Sequence, residues 1–144
     1  MPQIAVGMLF LFSTAACVAQ ARPAAGCLSY EPAVVTLNGI LIRETFPGPP
    51  NYESVPQGDK PETYWLLDLA RPVCVNEDKG EPDLNPMQKA VRRVQLVLDP
   101  KAYERHKGLF GKRVVATGTL FGAFTAHHHS PVLLTVRTLE MAER

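Results

Sequence analysis

The chain has 144 residues, of which 46% are hydrophobic and 20% are charged. This length fits one domain, and this composition excludes a wholly disordered chain. Lysine plus arginine total 15 and aspartate plus glutamate total 14, which leaves a net charge of +1. A near-neutral chain argues against a nucleic-acid partner, because binding to phosphates requires an excess of basic side chains.

The amino-terminal segment has the features of a targeting sequence, since residues 1–21 carry no charged side chain. Its apolar run Ile4–Phe12 is too short to cross a bilayer of about 30 Å, which takes roughly 20 residues. Ala19-Gln20-Ala21 then supplies a small-x-small cleavage pattern. We expect residues 1–21 to be a signal peptide and residues 22–144 to be one exported domain without a transmembrane segment.

Cys17 offers a different end to this segment. Thr14-Ala15-Ala16-Cys17 loosely resembles a lipobox, in which the cysteine is acylated and anchors the protein. The expected location is therefore periplasmic or secreted, and the alternative is a lipoprotein anchored to a membrane through Cys17.

Cleavage would leave two cysteines, Cys27 and Cys74. An even pair of cysteines in an exported protein is normally a disulfide, because the compartment is oxidising. A redox pair would instead lie close in sequence, as in C-x-x-C. We therefore predict a structural Cys27–Cys74 disulfide.

The remaining chain alternates strand patterns with loop patterns. Apolar and β-branched residues predict strands at 33–45, 64–69 (with a short extended piece at 73–75), 91–98, 111–122 and 132–139. Gly39 predicts a bulge or bend in the first strand. The proline-rich residues 46–61 and the acidic residues 76–86 predict loops. Asp99-Pro100 predicts the start of a short helix over residues 101–107, which Gly108 ends.

These elements predict a mainly β fold. Five strands with one short helix between strands 3 and 4 have the element order of a small five-stranded OB-like Greek-key barrel. An open β-sandwich would need about seven strands.

Several segments resemble a known family. They are 27–32 (CLSYEP), 46–53 (FPGPPNYE), 58–65 (GDKPETYW), 92–96 (RRVQL), 118–121 (GTLF) and 127–129 (HHH). Together they resemble the bacterial exported family catalogued as domain of unknown function 4431, over nearly the whole stretch from Cys27 to about Leu139. The resemblance implies export and a small β-rich, barrel-like domain. It implies no reaction, substrate or catalytic residue, because none is established for the family.

The histidine cluster His127-His128-His129 is the most unusual feature of the sequence. It falls in the loop between strands 4 and 5, at the rim where OB-folds bind ligands. In an extended chain His127 and His129 would share a face and His128 would turn away. The pair could bind Zn²⁺ or another divalent metal only with one or two more ligands, for which the acidic residues 76–83 are the candidates. Otherwise these imidazoles cap backbone groups of the loop.

Three further side chains are candidates for ligand binding. Tyr64 and Trp65 adjoin on strand 2 and must face opposite sides, so Trp65 either packs in the core or stacks on a ligand. Arg92 and Arg93 likewise diverge, so we expect only one, Arg92, to line a groove. Tyr52, in the proline-rich segment with Phe46, either docks a partner or clamps the loop on the barrel.

We conclude from the sequence that the protein is a non-catalytic module that binds an envelope protein or a small ligand without a cofactor. The candidate ligand-binding residues are Tyr52, Trp65, Arg92, His127, His128 and His129. No catalytic residue is assigned, since no nucleophile elbow or phosphate-binding glycine loop is present. The alternative function is a divalent-metal protein or metal-dependent enzyme that uses His127 and His129.

Overall fold

The structure, a computed structural model, describes residues 26–143. Its elements are β1 (Val34–Pro47), β2 (Pro61–Val75), β3 (Gln88–Val97), α1 (Pro100–His106), β4 (Arg113–Gly122) and β5 (Val132–Met141), with 3-10 turns at Val55–Gln57 and Lys107–Leu109. The expected signal peptide and the alternative lipid anchor at Cys17 lie outside the described residues. Among residues 26–143, no helix combines the length and the apolarity needed to cross a bilayer.

The five strands close into a barrel in the order β1-β2-β3-β5-β4, with β4 paired back to β1. All neighbouring strands are antiparallel except β3 and β5, which are parallel. The predicted mainly β fold, with five strands and one short helix between β3 and β4, is therefore confirmed. Closure leaves no strand at an open sheet edge, which protects so small a sheet from pairing with another chain.

Side chains alternate between the interior of the barrel and its outer face. Leu41, Leu67 and Val94 are register partners on β1, β2 and β3, and all three lie in the central core. Their neighbours along each strand point outward, so Leu66 on β2 and its register partner Gln95 on β3 lie on the outer face. Both are nevertheless buried, which means that another part of the chain covers this face.

The first strand passes from one neighbour to the other at Gly39. Residues 34–40 of β1 pair with β4, and residues 39–47 pair with β2. No register shift interrupts either ladder, so of the two features predicted for Gly39, a bulge or a bend, the bulge is absent. A Cβ atom at this position would overlap the backbone carbonyl of Asp68, so glycine is required for the close approach of β1 to β2.

The loop between β1 and β2 is shorter than the prolines predicted. Phe46 pairs with Glu62 and Pro47 with Pro61, because a proline at the end of a strand need not donate to the ladder. Residues 48–60 form what we call the proline-rich loop. The buried carboxylate of Asp59 organises it by accepting hydrogen bonds from the backbone N–H groups of residues 51, 53 and 54 and from the Asn51 amide.

Other boundaries also differ from the predictions, by up to three residues in β3, β4 and β5. β2 is one strand rather than two pieces, but its pairing with β3 shifts between Asp68 and Val73, in the stretch that contains Pro72. Asp99 caps α1 as expected, with its Oδ1 accepting the N–H of Lys101 at 2.9 Å. Gly108 does not end the helical segment, which continues as the 3-10 turn.

The predicted disulfide is present between Cys27 and Cys74, whose Cα atoms are 4.6 Å apart. Next to it, the Leu28 N–H donates to the Cys74 carbonyl and the Asn76 N–H donates to the Leu28 carbonyl, both at 2.8 Å. The start of the described chain is thus joined covalently and by backbone hydrogen bonds to the end of β2.

Candidate functional site

The loop between β4 and β5, residues 123–131, lies across the outer face of the sheet; we call it the histidine loop. The buried side chain of Gln95 holds it in place. Its Nε2 donates to the His127 carbonyl at 2.9 Å, and its Oε1 accepts the His129 N–H at 2.7 Å. These two bonds satisfy backbone groups on both sides of His128, so one β3 side chain fixes the path of the loop.

The three histidines have different surroundings. His127 is exposed, with its Nδ1 2.9 Å from Glu62 Oε2 and 3.0 Å from the Tyr64 hydroxyl. His129 stacks on Phe46, with ring centroids 4.0 Å apart and planes 2° apart. Tyr64 therefore contacts both histidines, since its ring centroid is 4.9 Å from that of His129.

His128 turns away from the other two, as the alternation predicted. Its Nδ1 accepts the Phe124 N–H at 3.0 Å. Its ring packs edge-on against Phe121 and Phe124. This imidazole caps the backbone of its own loop, which is the structural alternative given by the sequence.

The proline-rich loop reaches the histidine loop through Tyr52. The Tyr52 hydroxyl lies 3.4 Å from His127 Nε2, and the two rings meet edge to face. Phe46, at the start of the same connection, stacks on His129. The two loops thus contact each other through aromatic rings.

Hydrogen bonds and burial together set the charges of this cluster. The Tyr64 hydroxyl donates to Glu62 Oε2 at 2.6 Å. This hydrogen bond and the one between His127 and Glu62 hold the pKa of Glu62 below its usual range. Burial, followed by the bond to Glu62, raises the pKa of Tyr64. Burial also lowers the pKa of His129, so that His129 is neutral near pH 7 and Glu62 is ionised.

The described residues do not provide a complete set of metal ligands. Within residues 26–143, no group of three or more histidine, cysteine, aspartate or glutamate side chains is arranged to hold a metal ion. The carboxylate beside His127 is that of Glu62, and it already accepts a hydrogen bond from the Tyr64 hydroxyl. The acidic residues 76–83 do not join the histidines in such a group.

A cleft of about 570 Å³ opens beside the histidine loop on the outer face of β1, β2 and β3. Phe46 and Leu66 provide its apolar floor. One wall is the first half of β3, residues 89–93, and the other is residues 129–131 of the histidine loop. The cleft therefore draws on three strands and on the loop that Gln95 holds in place.

Ion pairs cross the cleft from strand to strand. Arg93 on β3 has its Nη1 3.1 Å from a Glu44 oxygen on β1 and its Nε 3.6 Å from an Asp68 oxygen on β2. Lys89 and Arg92 also line the cleft. Neither forms an ion pair with another described residue.

Both arginines line the cleft, although the alternation of a regular strand predicted only one. Asp68 pairs with Arg93, and the next pairing joins Val73 to Val91. Between these two pairings β2 has four residues, 69–72, whereas β3 has only Arg92. Ala90, with a φ of 52°, marks a second irregularity in β3, where the register shifts again. Val91 and Val94 both enter the core, so the two arginines between them are both left on the outside.

Trp65 lies elsewhere. Its ring meets Tyr103 of α1 at 5.0 Å and Phe110 at 4.5 Å, both edge to face. It faces the opposite side of β2 from Tyr64, as predicted, and packs beneath α1 rather than in the cleft.

The structure brings together part of the predicted set and adds other residues. Arg92 and His129 line the cleft. Tyr52 and His127 contact each other but do not line it, and His128 and Trp65 point elsewhere. Sequence reasoning missed Lys89, Arg93 and Gln95. A glutamine within the apolar run Val94–Leu98 was the available signal for Gln95, since a buried amide must have partners.

Part of the chain, residues 93–140, matches a family model. No curated protein and no solved structure matches the chain significantly. The matched segment spans Arg93, Gln95 and the whole histidine loop, but it is shorter than the sequence motifs suggested, since the motifs before residue 93 fall outside it. Residues 93–140 match the family model described as "Domain of unknown function (DUF4431)", which confirms over that segment the family that the sequence resembles.

Proposed function

We propose that the protein is an exported, non-catalytic binding module whose ligand occupies the cleft beside the histidine loop. The observation that carries this proposal is the cleft itself, about 570 Å³ in volume. Ligand sites of small molecules commonly measure about 300–1,000 Å³. The cleft also lies where OB-like barrels bind ligands, on the face of strands 2 and 3 beside the loops that follow strands 1 and 4.

The candidate nucleophiles and bases are engaged in structural contacts. Cys27 and Cys74 are joined to each other, so neither supplies a thiolate. Ser130 is buried at the end of the histidine loop. His127 has the carboxylate of Glu62 beside Nδ1, but its Nε2 faces the Tyr52 hydroxyl rather than an activated nucleophile. These contacts favour a role in shaping the loop.

Export is proposed from the uncharged segment 1–21 and from the disulfide, which an oxidising compartment favours. Expression of the full chain with a carboxyl-terminal tag tests this part. We expect the mature protein to begin at Arg22. A mature chain that begins at an acylated Cys17 would establish the lipoprotein alternative, and an uncleaved cytoplasmic chain would refute export.

Nuclear magnetic resonance with a fragment library tests the site. We expect fragment-induced amide shifts to concentrate at residues 44–46, 89–93 and 129–131 of the cleft. Pro131→Trp places a large ring at an exposed position of the cleft wall and should abolish these shifts, whereas Pro56→Trp, exposed on the proline-rich loop, should preserve them. Shifts that concentrate elsewhere, or that survive Pro131→Trp, would overturn the proposal.

A further inference from the structure

The charges that line the cleft are unequal. Lys89, Arg92 and Arg93 supply three positive charges, and Glu44 and Asp68 supply two negative ones. His129 adds none near pH 7, because burial lowers its pKa. The cleft therefore has an excess of positive charge.

This excess is concentrated on one wall. Arg93 lies within ion-pair distance of both carboxylates, 3.1 Å from Glu44 and 3.6 Å from Asp68. Each carboxylate is thus already paired with the same guanidinium. Lys89 and Arg92, which have no carboxylate partner among the described residues, hold the uncompensated charge. A cationic ligand would meet paired carboxylates and two repelling side chains, whereas an anion would meet two cations without partners.

The cleft also has an apolar part. Phe46 lies stacked on His129, Leu66 forms the floor beside it, and Pro131 closes the wall. An inorganic anion would leave these surfaces uncovered. A ligand with a ring or a short hydrocarbon body would bury them against apolar atoms, which favours binding in proportion to the area covered.

From these observations we infer that the cleft binds a small amphiphilic organic anion, with its carboxylate or phosphate held by Lys89 and Arg92 and its apolar body against Phe46 and Leu66. The guanidinium of Arg92 suits either group, because its N–H donors match two oxygens of a carboxylate or a phosphate. This inference rests on the proposed function and names the class of ligand.

Isothermal titration with five probes tests the inference on the mature protein. Benzoate and phenyl phosphate carry the anion on a ring, benzamide is the neutral counterpart of benzoate, benzylamine is cationic, and inorganic phosphate lacks the apolar body. We expect benzoate or phenyl phosphate to bind at least about tenfold more tightly than benzamide, as charge-assisted hydrogen bonds imply. Whichever of the two anions binds more tightly identifies the anionic group.

Matched charge variants locate the binding. Lys89→Gln with Arg92→Gln should weaken binding of the aromatic anion at least about tenfold. Lys101→Gln with Arg105→Gln removes the same charge from exposed positions on α1 and should leave the affinity nearly unchanged. Raising the salt concentration should weaken binding to the unsubstituted protein, because the two cations are exposed.

The outcomes separate the two proposals. If benzamide or benzylamine binds in the cleft as tightly as benzoate, the inference about the anion is wrong and the proposed function stands. If inorganic phosphate binds as tightly as phenyl phosphate, the inference that an apolar body contributes to binding is wrong. If benzoate binding survives Lys89→Gln with Arg92→Gln, the assignment of the anion site is wrong. If none of the five probes binds while other fragments still shift the cleft amides, the inference about the anion is wrong and the proposed function stands. If no fragment shifts the cleft amides, the proposed function falls as well.

Discussion

Phe46 and His129 stack face to face, with their ring planes 2° apart, and so join the end of β1 to the histidine loop. The contact explains how a loop without regular secondary structure can form one wall of a cleft. Stacked rings add attraction beyond the area that they bury. Together with the hydrogen bonds from Gln95, the stack keeps the loop on the outer face of the sheet.

Gln95 should be essential for this arrangement. Gln95→Leu keeps the size of the side chain but leaves the His127 carbonyl and the His129 N–H without their partners. We expect a loss of about 1–3 kcal/mol in the free energy of unfolding, measured by urea denaturation. Faster hydrogen exchange at the His129 amide would show that the loop is released. Gln57→Leu, at an exposed position, is the control and should change neither quantity.

The disulfide should contribute strongly to stability. It closes a loop with a sequence separation of 47 residues, which is worth about 4 kcal/mol on the chain-entropy model. Cys27→Ser with Cys74→Ser should lower the free energy of unfolding by this order. A reductant should destabilise the unsubstituted protein and leave the double variant unchanged. Two reactive thiols in the denatured, non-reduced mature protein would contradict the bond.

Gly39 should tolerate no side chain. Gly39→Ala would place its Cβ against the Asp68 carbonyl where β1 meets β2, and neither strand can retreat without breaking its ladder. We expect a loss of about 3 kcal/mol in the free energy of unfolding. Gly108→Ala meets no atom within 4 Å, and its effect should stay within about 0.5 kcal/mol. Equal effects of the two substitutions would contradict the described approach of β1 to β2.

Asp59 should make stability dependent on acidic pH. Backbone hydrogen bonds, the largest from Ser54, lower its pKa below the ordinary value of 3.8. Because the pKa is lower in the folded protein, the ionised carboxylate stabilises the fold above the unfolded pKa. This contribution is lost as the pH falls from about 4 through the folded pKa.

Asp59→Asn tests this dependence. The amide can accept on one side only, whereas the carboxylate accepts on both oxygens. The variant should melt several degrees lower at pH 7, and the difference from the unsubstituted protein should shrink towards pH 2. The pKa of Glu62 is lowered too, so Glu62 also makes stability depend on acidic pH. Because Glu62 is present in both proteins, its contribution cancels when their melting temperatures are subtracted. A difference that stays constant with pH would contradict the role of the carboxylate.

The fold was largely predictable from local chemistry, and the site was not. Alternating β-branched residues identified every strand, and Asp99-Pro100 identified the helix. The strand ends were wrong at Pro47 and Pro61, because terminal prolines do not disturb a ladder. The cleft could not be predicted from regular alternation, because the pairing of β2 with β3 is irregular between Asp68 and Val73. Arg92 and Arg93 both face outward there, between two residues of β3 that enter the core.

The central claim is that the cleft beside the histidine loop is the binding site, and the most direct test is to measure which protein protons lie next to a bound ligand. Nuclear Overhauser effects should be recorded on the mature protein with isotope-labelled side chains and unlabelled benzoate. We expect contacts from the benzoate ring to the Phe46 ring and the Leu66 methyl groups. Contacts to the exposed side chains of Leu84 and Phe124 instead, which line a separate groove, would contradict the account.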